Sequence, residues 1–185
     1  MFRNQQYLLL VFFVRFVMEL TFEEILLERK TKAQYIQFFE SNQDKLHVLF
    51  NHAIDLTNPL AWRFVWVLTI FQNGIFTLSK EQLGEVVQLI PKVNKQGYIR
   101  ELIKLVVNTE SITPFESQLF DICVELWSCL SNASSTRYVA YRLMLRIAQN
   151  FPGLKNEVNC LSDAIYFESL SEGIKKSCKN LLKCL

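Results

Sequence analysis

The sequence predicts an all-α protein, with about nine helices stacked as antiparallel pairs into an α–α superhelix. Three observations carry this. Apolar residues recur with a helical period nearly throughout the chain. Turn-forming residues are scarce, with 5 Gly and 4 Pro in 185 residues. No segment alternates polar and apolar residues for long enough to demand a strand; only residues 7–17, rich in Phe and Val, are ambiguous. With 50% hydrophobic residues, the chain has enough apolar surface to offset its conformational entropy. At this length roughly 70% of the unfolded surface is buried on folding. Disorder, a hairpin-rich β-sandwich and a disulfide scaffold are therefore excluded.

The helices follow in order from local signals. Thr21-x-x-Glu24 has the form of a capping box, with Phe22, Ile25 and Leu26 following. Thr31 to Phe39 continues as a second helix. Asn42 is placed to cap a third, in which Leu46, Leu49, Phe50, Ala53 and Ile54 share one face. Asn58-Pro59 starts the fourth, since Asn caps and Pro at the first helical position loses no hydrogen bond. That helix, Leu60 to Phe71, is apolar almost all round, which requires protein on every side. Asn73-Gly74 ends it. Ser79-x-x-Gln82 opens the next helix, which stops near Pro91. Another follows Gly97, and Thr113-Pro114-x-Glu116 launches the next. Ser134 or Ser135 begins a helix running to about Asn150, before Pro152-Gly153. The last two are expected over Leu154 to about Tyr166 and Ser171 to Leu185.

Residues 1–17 form an apolar N-terminal extension. Tyr7 to Val14 is uncharged, but Arg15 interrupts the run well short of the ~20 apolar residues that span a bilayer. A signal peptide needs small residues at its cleavage site, and no Ala, Gly or Ser precedes Ala33. Translation is expected to start at Met18, which leaves a single domain over 18–185.

Charge and cysteine narrow the function. Lys+Arg is 20 and Asp+Glu 18, a net charge of +2, without the basic excess of a dedicated nucleic-acid binder. The five cysteines, Cys123, Cys129, Cys160, Cys178 and Cys184, include no CxxC pair. They read as free, mostly buried thiols of a cytoplasmic protein, with no metal. His47 and His52 are five residues apart on one helix, about 140° apart around its axis. They cannot chelate as an i, i+4 pair would, and both read as surface residues. No phosphate loop, nucleophile elbow or zinc-binding helix motif occurs. No cofactor and no enzymatic activity are expected.

Three helices share a local pattern. Arg63 heads Arg-Phe-Val-Trp-Val-Leu, Arg100 heads Arg-Glu-Leu-Ile-Lys-Leu, and Arg142 heads Arg-Leu-Met-Leu-Arg-Ile. One helix intervenes each time, and the spacing approaches the roughly 40–47 residues of HEAT and armadillo units. The block Asn58-Pro-Leu-Ala-Trp-Arg-Phe-Val-Trp-Val-Leu68 resembles the first conserved block of a group of short bacterial HEAT-like (armadillo-type) helical-repeat proteins of uncharacterised function. Phe151-Pro-Gly-Leu154 and the segment from Ser171 to Lys183 resemble their later blocks. The resemblance runs from about Met18 to the C-terminus. It implies a single-domain α–α superhelix and carries over no catalytic residue.

Arg63 is the residue of most interest, a charge on an otherwise apolar helix beside Trp62 and one turn from Trp66. Two readings stay open. In one, its guanidinium is satisfied between repeats by a carboxylate, from Asp55 or Glu101, or by carbonyls of a neighbouring helix end. In the other, Trp62, Arg63 and Trp66 line a groove that Arg100 and Arg142 extend. Lys175, Lys179 and Lys183 form a further basic stripe on the last helix, either a solvated face or a contact for an acidic partner or a phosphate backbone. The function read from these features is protein interaction. The alternative is nucleic-acid binding, in the manner of HEAT-like DNA-alkylation-repair proteins.

Overall fold

The computed structural model describes residues 21–72 and 74–183. The expectations for residues 1–17, for a start at Met18, for Asn73 and for Cys184 lie outside the described residues. Among the described residues the chain is helical throughout, with eleven α-helices: α1 (Phe22–Leu27), α2 (Lys32–Ser41), α3 (Lys45–Ile54), α4 (Ala61–Phe71), α5 (Lys80–Leu89), α6 (Gln96–Val107), α7 (Glu116–Ser128), α8 (Ser134–Asn150), α9 (Lys155–Cys160), α10 (Ala164–Phe167) and α11 (Glu172–Leu182). Short 3-10 turns follow α5 at Ile90–Lys92 and α8 at Pro152–Leu154.

Helix starts follow the capping chemistry. Thr21, Thr31 and Ser79 each close a capping box, their hydroxyls accepting from the N–H of Glu24, Gln34 and Gln82. Asn58 accepts from the Leu60 N–H at 2.9 Å, so the turn into α4 is held by the expected residue. The helix itself begins at Ala61, beyond Pro59. Asn42 departs from expectation. Its side chain donates to the Phe38 carbonyl at 2.9 Å, so it caps the end of α2, and α3 starts at Lys45 without a side-chain cap. The single helix expected over Leu154–Tyr166 is split. Ser162 donates to the Val158 carbonyl and closes α9, and extended backbone at Asp163 precedes the short α10.

The helices form two layers. α4, α6, α8 and α11 stack in sequence, each on the next, while α3 backs α4 and α7 backs α8. α2 joins the stack through Tyr35 against Trp66 and Phe39 against Phe71, with ring centroids 6.2 and 6.0 Å apart. This layering explains why α4 is apolar nearly all round. Phe64, Val65, Val67 and Leu68 are fully buried between neighbours on both sides.

Side chains of the stacking layer also satisfy the carbonyls that each helix end leaves without partners. The Gln72 amide donates to Leu105 O and to Thr109 Oγ1, and Arg146 donates to the carbonyls of Val106, Val107 and Glu110. The C-terminus of α6 is thus held from both adjoining repeats. The Tyr98 hydroxyl donates to Ala53 O at the end of α3. A stack built this way couples each repeat to its neighbours by directional bonds as well as apolar area.

Candidate binding groove

The stacking of α4 on α6 brings together residues that the sequence places 37 apart. Trp62 and Trp66 are at i, i+4 and share a face of α4, with Arg63 alongside. Arg100 and Lys104 share a face of α6. With Glu101 these residues line one open groove of about 270 Å³. Trp62, Arg63, Trp66 and Arg100, all singled out from the sequence, thus lie together. Glu101 and Lys104 complete the lining.

Arg63 is held without a carboxylate. Its Nη2 donates to the Lys30 carbonyl at 2.8 Å, in the turn before α2. Its guanidinium lies 5.6, 5.7 and 5.8 Å from the ring centroids of Trp62, Trp66 and Tyr35. Three ring faces around one cation fix its position by cation–π attraction. Its Nε is enclosed and has no partner among the described residues. The carboxylates expected to pair with it are engaged elsewhere. Asp55 accepts from the Thr57 N–H and hydroxyl at 2.9 and 2.7 Å. Glu101 is 1% exposed and accepts from Arg100 Nε at 2.9 Å and from Lys104 Nζ at 3.1 and 3.2 Å. Of the two readings of Arg63, the backbone carbonyl describes its anchor and the groove describes its surroundings.

The groove is therefore electropositive. It has three cations against one carboxylate, and that carboxylate is buried beneath two of them. The half-exposed Arg100 and Lys104 side chains, at 34% and 39%, keep their charges at the surface.

Arg142 does not extend this groove. It is exposed on α8, outside the lining. The arginine in repeat register is Arg137, which follows Arg100 by the same 37 residues that separate Arg100 from Arg63. Five residues is about 140° of helical turn, enough to move a side chain to another face. Arg137 is fully buried. It donates to the carbonyls of Trp127 and Tyr166 and to the Ser169 hydroxyl, and it lies 4.7 Å from the Trp127 ring centroid. Burial holds its guanidinium below the ordinary arginine range. The three repeat arginines thus grade from groove-lining to fully internal. The constant spacing was the signal that identifies Arg137; matching the short strings after each arginine selects Arg142 instead.

Lys175, Lys179 and Lys183 lie on or just after α11, separated from the groove by α8. Lys175 pairs with Glu172 at 2.8 Å, and Lys179 and Lys183 are exposed. His47 and His52 turn to different neighbours, Phe76 and Phe22. His47 is exposed and His52 half-buried. The four described cysteines are free, but only Cys123 and Cys178 are buried; Cys129 and Cys160 are exposed, against the expectation of mostly buried thiols.

A second groove, of about 530 Å³, lies between the start of α7 and the end of α8. Its apolar lining includes Phe120, Phe151 and Leu154, and its charged lining residues are Glu116, Asp121 and Glu157. Its charge is opposite in sign to that of the groove between α4 and α6.

Among the described residues, no helix is long and apolar enough to cross a membrane, and no group of three or more His, Cys, Asp or Glu side chains could hold a metal ion.

Paired helices stacked in two layers, with directional bonds between successive pairs, define a helical-repeat protein. A family model described as HEAT repeat domain matches residues 24–185, and the chain belongs to that family. Comparisons with curated proteins and with solved structures return no match.

Proposed function

We propose that the protein is a helical-repeat interaction module without enzymatic activity of its own, and that it binds a segment of another protein in the groove between α4 and α6. The observation that carries this is the convergence of Trp62, Arg63, Trp66, Arg100 and Lys104 on one open surface. Trp and Arg are the side chains most enriched where binding energy concentrates at protein interfaces. Here two indole rings stand beside three cations, so both apolar area and charge are available to a ligand. The supporting structure is rigid by construction. α4 is buried on both flanks and Arg63 is fixed between three rings. Little ordering is then required on binding. A cytoplasmic location belongs to the same reading, supported by the exposed unpaired thiols Cys129 and Cys160.

The test is affinity capture from native lysate with the full chain and with Trp62→Ala/Trp66→Ala. Partners retained by the first and lost by the second are expected. Identical recovery with both would place the binding surface elsewhere.

A further inference from the structure

We propose that the groove between α4 and α6 receives a phosphorylated side chain on the partner polypeptide, contacted by Arg63, Arg100 and Lys104 and flanked by Trp62 and Trp66. This rests on the interaction-module reading above and names the ligand chemistry of the same groove. Three cations and one carboxylate line the groove, which leaves two positive charges to be met. A phosphorylated side chain carries about −1.5 to −2 at neutral pH and three acceptor oxygens, whereas a carboxylate supplies one charge.

The donors suit that ligand. Of the five N–H donors of the Arg63 guanidinium, one goes to Lys30 O and the Nε–H is enclosed; the other three belong to Nη1 and Nη2, and the side chain pairs with no carboxylate among the described residues. Arg100 and Lys104 are gathered by Glu101, and Arg100 Nη1 also donates to Ser135 Oγ at 3.5 Å; one N–H on each of Nη1 and Nη2 is left for a ligand. Arginine forks and lysine point charges are the usual partners of phosphate oxygens.

Size selects the carrier. At about 270 Å³ the groove lies below the ~300–1,000 Å³ of sites that enclose a drug-sized ligand. It accommodates one or two side chains of an extended segment, with an apolar neighbour against the indoles. A nucleic-acid strand is matched instead by a basic track over several phosphates. Here the exposed Arg142 on the neighbouring α8 lies outside the lining, and the lysines of α11 lie beyond α8. The groove between α7 and α8 repels an anion through Glu116, Asp121 and Glu157.

The experiment uses the folded full chain and fluorescence anisotropy with labelled degenerate peptide pools. The pools differ only in a fixed central residue: phosphoserine, phosphothreonine, phosphotyrosine, serine or glutamate. At least one phosphorylated pool should bind ~10-fold or more tightly than the serine pool, with glutamate weaker than phosphate. Arg63→Gln should reduce that binding ~10-fold, and Arg63→Lys should restore only part of it. Lys104→Gln changes a half-exposed side chain and should also weaken binding; it decides the matter if Arg63→Gln lowers the unfolding midpoint. Equal binding of phosphorylated and serine pools, or no binding by any phosphorylated pool, overturns the proposal. So does a single-stranded oligonucleotide that binds more tightly than every phosphorylated pool. Failure here is separable from failure of the module. A lysate partner that needs Trp62 and Trp66 but is retained after phosphatase treatment keeps the module and removes the phosphate.

Discussion

The Arg137 guanidinium lies over the Trp127 ring at 4.7 Å and donates through Nε to the carbonyl of the same residue at 2.9 Å. One side chain thereby ties the end of α7 to α8, and its remaining donors reach Ser169 and Tyr166 in the next repeat. Replacing it leaves buried acceptors unsatisfied and opens a void. Arg137→Ala should cost about 3 kcal/mol or more, whereas Arg142→Ala, at an exposed position, should stay within about 0.5 kcal/mol. Urea unfolding of both variants checks this. Similar losses from the two would show that the 37-residue register does not identify the structural arginine.

Glu101 is the keystone of the groove wall. It is buried, while its partners Arg100 and Lys104 are each about a third exposed. Solvent screens the ion pairs, but loss of the buried acceptor is costly. Glu101→Gln should lower stability by about 1–3 kcal/mol and loosen both cations. Thermal unfolding reads the first effect, and NMR of the Arg100 side chain reads the second. Unchanged stability would mean that Glu101 does not organise the wall.

Stability should fall at both ends of the pH scale. The Thr21 backbone N–H holds Glu24 below its ordinary 4.5, Lys175 does the same for Glu172, and Thr57 holds Asp55 below 3.8. A depressed folded pKa gives stability that is fully present above the ordinary value and is lost as pH falls through the folded one. The acid-side loss therefore sets in below about pH 4.5. Glu24→Gln and Glu172→Gln should flatten it. Burial pushes the Tyr98 hydroxyl from 10.0 up to about 12. Its contribution is present below pH 10 and is lost as pH rises through that window. Tyr98→Phe should remove that alkaline component of the unfolding curve. An unaltered alkaline limb in Tyr98→Phe would contradict the assignment.

The thiols should react in a set order. The Ser131 hydroxyl and backbone draw the exposed Cys129 thiol below its ordinary value, while burial raises Cys178 to about 11 and Cys123 further still. Thiolate is the reactive form. Limited alkylation of the folded protein, mapped by mass spectrometry, should modify Cys129 well before Cys178 or Cys123. Early modification of Cys123 would mean that the α7–α8 core opens readily.

Much of this architecture was legible because helix starts are local events. Thr21 and Ser79 carry their capping partners three residues away, and both boxes form. Asn42 could not be assigned this way. An asparagine between two helices can satisfy an N–H of the second or a carbonyl of the first, and here it bonds to Phe38 O. The groove was partly legible. Two tryptophans and an arginine on an apolar helix stand out, but the partner of a long cation depends on tertiary distance. Glu101 lay in view as a partner for Arg63; stacking assigns it to Arg100 and Lys104 instead. Arg142 entered through similarity of short apolar strings, which every buried helix shares. Arg137 is distinguished by register, a property of the whole stack.

The face formed by α4 and α6 is the proposed binding surface. Hydroxyl-radical footprinting of the full chain, with and without a partner recovered by capture, reads the side chains directly. Trp62 and Trp66 should lose reactivity on complex formation, while the exposed Leu130 and Phe151 keep theirs. A formed complex in which Trp62 and Trp66 oxidise as fast as in the free protein would contradict the account.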